Sequence, residues 1–331
     1  MIQENRSFLF LRSLQANAAK ERRPLRVLFE LTYDCNFDCI HCYVPKSNRK
    51  IKSLTAKEIF LILNQLQELG CFHLGFSGGE IFLRKDILDI LWYAKKKGFN
   101  IILLTNGSLI NRHIAEELRK LTLNKVDITL HSLNRSHFEA ISRAKGSYVK
   151  VMRAIELLHQ RKVPLGIKNC FLALNRDDLQ GVKEFAEKLG VVGRIGAGVI
   201  SSSREDIMQQ DTCVSGDRQR SDSRHLFPCR AGTNSMVINP QGQLKLCPNI
   251  DYPLIHIRKG GVAESWRKLN SVVKKIENEY CVSPQARGRG VALRWCPAKS
   301  WVKYGNFTQT PADRRNALEK GTISNMAGVP V

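Results

Sequence analysis

Cys35, Cys39 and Cys42 stand as C-x3-C-x2-C in the segment CNFDCIHC. Three thiols in one short loop can converge on one inorganic centre without straining the backbone, and no fourth cysteine lies beside them. A structural zinc wants a closed tetrahedron, which His41 or a distant residue would have to complete. A cubane iron–sulfur cluster takes one protein ligand per iron, so three thiolates leave one iron open to a small molecule. Spacing alone leaves both readings standing. Further along, Ser77-Gly78-Gly79-Glu80 joins two glycines, which permit close backbone approach, to a carboxylate. Thr105-Asn106-Gly107 and then Ser132 end the next two apolar runs, and Lys168 and Asn169 lie in another.

Those residues need elements that bring them to one rim. Leu25 to Thr32 is a short apolar run rich in strand formers, and it leads straight into the cysteines. Thr55 with Glu58 forms a T-x-x-E capping box ahead of Ile59, Leu63, Leu66 and Leu69 at helical spacing. The same alternation returns as strand Phe72–Ser77, helix Asp86–Lys97, strand Asn100–Thr105, helix Ile110–Leu121 and strand Val126–His131. It continues as helical material over Arg135–Arg161 broken near Gly146, an extended Pro164–Leu174, helix Asp178–Leu189 and an apolar Val191–Ile200. Strands alternating with helices predict an α/β fold with a parallel sheet, doubly wound or closed as a whole or partial barrel. Loops after strand C-termini then share one face, which is where the cysteines, SGGE and TNG fall.

The expected organisation is a basic leader over 1–24, the strand–helix unit over 25–200, a polar linker over 201–226, a second unit over 227–305 and a tail over 306–331. The second unit carries a predicted hairpin around NPQGQ at 239–243 and a helix near Val262–Ile276. The chain of 331 residues, 43% hydrophobic and 25% charged, can bury a sizeable core, which excludes disordered and collagen-like classes. It contains no apolar run long enough for a membrane span and no signal-peptide pattern, so a cytoplasmic location with no membrane partner is expected. Ten cysteines in such a chain point to metal or redox chemistry more than to a disulfide framework. Lys and Arg number 52 against 30 Asp and Glu, a formal charge of +22. That imbalance reads as solvated faces or as attraction for an acidic partner; without an RNA-binding motif, nucleic acid is the minority reading.

CNFDCIHC after a first strand, followed one strand later by SGGE, resembles the radical S-adenosylmethionine superfamily over residues 25–200. The resemblance implies a partial (β/α)6 barrel, a 4Fe-4S cluster on Cys35, Cys39 and Cys42, and S-adenosylmethionine chelating the open iron through its amino and carboxylate groups. Reductive cleavage, driven by an electron donor such as a flavodoxin or ferredoxin, then yields a deoxyadenosyl radical. It also implies that His41 lies near the adenine, that Gly78, Gly79 and Glu80 receive the methionyl ammonium, and that Thr105, Asn106, Ser132 and Lys168 are cofactor-binding candidates. Ser132 stands where the family often contacts the ribose; it reads equally well as a helix N-cap. Ile81 replaces the proline that commonly follows the glycine motif. Cys71 and Cys170, set among apolar neighbours, read as small core residues.

Cys229, twelve residues to Gly242 and four more to Cys247 resemble the opening of SPASM and twitch extensions, with the glycine at a hairpin tip. The dense cysteine tract of the full extension is missing: only Cys281 and Cys296 remain, with Pro284 where a C-x2-C partner would fall. The resemblance implies a small SPASM/twitch-like C-terminal domain with one auxiliary 4Fe-4S cluster on Cys229, Cys247, Cys281 and Cys296; zinc or an empty remnant is the other reading. Cys213, in the polar linker, is an exposed thiol, a rival ligand or a hydrogen-atom donor. The expected activity is hydrogen abstraction from a ribosomally made peptide or protein side chain, leading to cross-linking, epimerisation or oxidation, with an acidic leader as a candidate partner. The alternatives are a small-molecule enzyme of tetrapyrrole or aminosugar type and a structural zinc protein.

Overall fold

A computed structural model of the chain describes residues 6–197 and 230–282, with side chains over 13–194 and 230–278. Six rounds of strand and helix follow the expected order. They are β1 (Arg26–Thr32), α2 (Ala56–Glu68), β2 (His73–Gly78), α3 (Ile87–Lys96), β3 (Asn100–Thr105), α4 (Arg112–Leu121), β4 (Lys125–Thr129), α5 (Arg135–Ser142), α6 (Ser147–Gln160), β5 (Leu165–Cys170), α7 (Leu179–Lys188) and β6 (Val192–Ala197). The predicted capping box forms: the Thr55 hydroxyl accepts from the Glu58 amide while the Glu58 carboxylate accepts from the Thr55 amide. The expected break near Gly146 is real, since that glycine takes a φ of +75° at the start of α6.

Strands β1 to β6 pair in sequence order and in parallel, and β6 ends the sheet without returning to β1, which leaves the curved sheet an open, partial barrel. The hairpin around NPQGQ appears as β7 (Ser235–Ile238) and β8 (Gln243–Lys245), with Gly242 at φ +74° in its tip. Rather than forming a sheet of its own, β7 adds in parallel to the free edge of β1, Phe29 facing Ile238, and β8 and a short β9 (Ile255–His256) continue antiparallel from it. One nine-stranded sheet results. The final helix α8 (Gly261–Val282) runs six residues beyond its expected end at Ile276 and buries Val262, Trp266, Leu269, Val273 and Ile276 in the hydrophobic core that the barrel helices share.

The leader expected to be polar carries helix α1 (Arg6–Lys20). The helix is held by tertiary bonds. The Asn234 amide donates to the Gln15 carbonyl at 3.0 Å, and the indole of Trp266 donates to the Arg22 carbonyl at 2.8 Å just past the helix end. Arg22 also pairs with Glu277. The N-terminal segment is thus bonded to the hairpin and to α8.

Candidate radical site at the strand rim

Because β1 to β4 run parallel, their C-terminal ends lie on one edge of the sheet, and hydrogen bonds tie the loops that follow. The Gly79 amide donates to the Thr32 carbonyl at 2.7 Å and the Glu80 amide to the Asp34 carbonyl at 2.8 Å, which seats the glycine motif against the base of the cysteine loop. This contact explains both glycines. A Cβ on Gly78 would lie 2.1 Å from the Thr32 carbonyl oxygen and one on Gly79 2.2 Å from that of Asp34, so the close backbone approach is to β1 itself.

Glu80 is fully buried, and its carboxylate accepts from the Phe82 amide, from the Thr105 hydroxyl at 2.7 and 2.8 Å, and from the Asn106 amide at 2.8 Å. Burial nevertheless pushes its pKa up, against those hydrogen bonds, and no cation among the described residues pairs with it. The Thr105 hydroxyl also accepts from the Gly107 amide. Asn106 reaches further: its side-chain amide donates to Asn36 at 2.9 Å and lies 3.9 Å from the Cys35 sulfur. Third-strand rim, glycine motif and first cysteine therefore form one connected set.

The three thiols are half-buried and free. Burial raises Cys35 to about 11, opposed by the Phe37 amide that points at its sulfur, and raises Cys39 as well, to which the neighbouring Cys35 and Cys42 add. Arg49 pulls both down; it is fixed by bonds to the Phe37 carbonyl and Asp38. Among the described residues no group of three His, Cys, Asp or Glu side chains converges on a single point. Three thiols that feel one another's charge without meeting at one point fit the separate irons of a cubane, and a buried carboxylate lacking a cation fits a ligand that brings an ammonium.

His41 sits edge-on to His131, ring centroids 4.7 Å apart. His131 escaped the sequence reading as a site residue. It lies just beyond β4, is 2% exposed, and places Nε2 4.0 Å from the Cys39 sulfur, while its buried Nδ1 has no hydrogen-bond partner among the described residues. Its place after a parallel strand was the available signal. Asn169 and Asn175 clamp its carbonyl at 2.8 Å each. Ser132 is not the N-cap of α5; Asn134 is, accepting from the Ser136 and His137 amides. The Ser132 hydroxyl donates to Asp178 at 2.6 Å and accepts from the Asn134 amide.

Lys168 lies on the face of β5 opposite Ile167 and pairs with Asp127 at 3.0 Å, as does Lys125 at 2.9 Å. Burial lowers the pKa of the Lys168 ammonium, which Asp127 partly restores. Asp127, 4% exposed between Val126 and Ile128 of β4, was a legible signal that the sequence reading passed over. Cys71 is buried and raised to about 12, as a core thiol should be, and burial lifts Cys170 to about 11. Of the second cysteine set, Cys247 is half-buried after β8 and Cys281 lies in the last turn of α8 by its backbone; Cys213, Cys229 and Cys296 fall outside the described residues.

With that geometry in place, the comparisons are consistent. Residues 29–189 match the Radical SAM superfamily. The Fe-coproporphyrin III synthase of Methanosarcina barkeri is 26% identical over 171 residues, which is 51% of this chain and 42% of that protein. The subtilosin biosynthesis protein AlbA of Bacillus subtilis is 26% identical over 245 residues, 68% of this chain and 55% of the relative. The chain thus spans about half the length of these curated relatives. In fold, Streptococcus suis SuiB bound to S-adenosylmethionine aligns with a TM-score of 0.64 at 14% identity, covering 82% of this chain and 73% of that one. SuiB bound to its precursor peptide SuiA aligns at 0.52 and 15%, covering 83% and 73%. Residues 29–189 thus form a radical S-adenosylmethionine domain.

Proposed function

We propose that this radical S-adenosylmethionine enzyme acts on a ribosomally made peptide or a protein side chain. The observation that carries the reading is the extent of the fold likeness to SuiB: it covers 82% of the chain, more than the barrel occupies, and so takes in structure beyond β6. SuiB has been solved with a precursor peptide, and AlbA belongs to bacteriocin biosynthesis. The coproporphyrin synthase match, over 171 residues, keeps a small-molecule substrate as the second reading.

In this reading Cys35, Cys39 and Cys42 hold a 4Fe-4S cluster, and Gly78, Gly79 and Glu80 border the ammonium of S-adenosylmethionine. Cluster and cofactor together supply one-electron cleavage to a deoxyadenosyl radical. The chain's own residues do the rest. Asn106 and Asn36 orient the Cys35 side of the loop, His131 and His41 wall the Cys39 side, and Lys168 and Asp127 set a charged pair within the barrel. Cys229, Cys247, Cys281 and Cys296 are assigned to one auxiliary cluster, and a flavodoxin- or ferredoxin-type protein to electron supply. The test is anaerobic incubation of the reconstituted enzyme with S-adenosylmethionine, reductant and a short acidic precursor peptide encoded beside its gene. A peptide mass change coupled to deoxyadenosine release supports the reading; deoxyadenosine release stimulated by a porphyrin and by no peptide overturns it.

A further inference from the structure

A charged residue in the middle of an apolar strand has to be accounted for. Glu30, in the run Val27 to Leu31 of β1, is completely buried. Its two carboxylate oxygens are both occupied: Oε1 accepts from the Tyr43 hydroxyl at 2.7 Å, and Oε2 from the Tyr33 hydroxyl at 2.8 Å. The countercharge comes from more than two hundred residues away. Lys245 of β8, its side chain 2% exposed, places Nζ 3.3 Å from Glu30 Oε2. The same ammonium donates to Asp251 at 3.1 Å, to the Pro248 carbonyl at 3.3 Å and to the Tyr33 hydroxyl at 3.3 Å. The turn that carries Asp251 is closed by the Leu246 amide on the Tyr252 carbonyl at 3.2 Å.

Burying such a pair costs more desolvation than an apolar pair of the same size, so bulk stability is a poor reason for it. Its position suggests a better one. Tyr43 directly follows Cys42, and Lys245 stands two residues before Cys247. Glu30 sits on β1, facing Ser77 of β2 and one residue past the last β1–β7 pair, Phe29 with Ile238. We propose that Lys245 is a positioning residue for the three-cysteine loop: it neutralises Glu30, Glu30 tethers Tyr43, and Tyr43 fixes the third cysteine of the loop from the hairpin side. The two cysteine-bearing regions are then mechanically one unit. The tether stands on the geometry of the polypeptide; only its consequence for a bound cluster rests on the radical S-adenosylmethionine reading.

The experiment follows alkylation of individual cysteines in the metal-free full-length protein, by mass spectrometry of iodoacetamide-treated samples under native conditions. Cys71, buried in the core, reports global opening, so the readout is the rate at Cys42 relative to Cys71. Tyr43→Phe removes only the tether; Lys245→Met removes the countercharge. Both are expected to raise the Cys42 to Cys71 ratio about tenfold, equivalent to about 1.4 kcal/mol of local opening. A ratio unchanged from the wild type in Tyr43→Phe overturns the proposal, and this variant decides alone should Lys245→Met fail to fold. Glu30→Gln with Lys245→Met, which leaves no buried unpaired charge, is expected to restore global stability while Cys42 stays more reactive than in the wild type; a return to the wild-type ratio would also sink the proposal. After iron–sulfur reconstitution to equal iron content, Tyr43→Phe is expected to shift the electron paramagnetic resonance of the reduced protein, a change that a merely structural tyrosine would not cause.

Discussion

The Glu80 carboxylate accepts from three donors and, among the described residues, meets no cation, which makes it a hub for the rim before any ligand arrives. Glu80→Gln keeps the shape but forces an amide NH2 against the Thr105 and Asn106 donors, so loss of binding and some loss of stability should go together. Equilibrium dialysis of S-adenosylmethionine and urea unfolding on the same variant measure both, and unaltered binding would remove Glu80 from the site. Gly79→Ala meets a carbonyl oxygen rather than a yielding side chain, and about 2 kcal/mol or more of destabilisation is expected in urea. Alanine at Cys35, Cys39 or Cys42 leaves two thiolates in the loop and is expected to abolish deoxyadenosine formation, read by chromatography of anaerobic reactions; turnover at the wild-type rate in any of the three would refute the ligand assignment.

At the scale of elements, His73 opens β2 with its imidazole held below the ordinary value of 6.5 by burial and then by the nearby Arg26. The unfolded chain therefore binds a proton near that value that the folded chain resists, and stability falls as pH drops below it. In His73→Gln part of that acid-side loss should vanish from the pH dependence of the urea midpoint; an identical slope would show that His73 does not contribute. The barrel elements were legible because each carries its own signal: Thr55 with Glu58 starts α2, Gly98 and Gly190 end α3 and α7, and the β3 limits match Asn100–Thr105. The cysteine loop and the glycine motif were legible for the same local reason. Helix α1 was not, since its bonds go to Asn234 and to α8 rather than along its own face. The packing of Gly78 and Gly79 against the Thr32 and Asp34 carbonyls was not legible, because nothing in a sequence shows that the end of β1 and the residues after it pass within contact distance. His131 and Lys245 were missed on similar grounds, their partners lying far off in the chain.

At the scale of the whole molecule, the hairpin and α8 share the barrel's sheet and core, so the described residues should unfold as one body. Trp92 on α3 and Trp266 on α8 then report the same urea transition as far-ultraviolet circular dichroism; separated midpoints would indicate two independent units. Leu269→Ala, a core truncation on α8, should cost about 2–5 kcal/mol in that single transition. The parallel seat of β7 on β1 has a temporal corollary. A ribosome delivers β1 early and its outer neighbour only after the rest of the barrel has emerged, so the strand leading into the cysteines waits with one side bare through most of synthesis. On the proposed cluster assignment, loading of iron and sulfide is best timed after residue 238 has cleared the exit tunnel, and nascent chains arrested short of it should be the ones that chaperones retain.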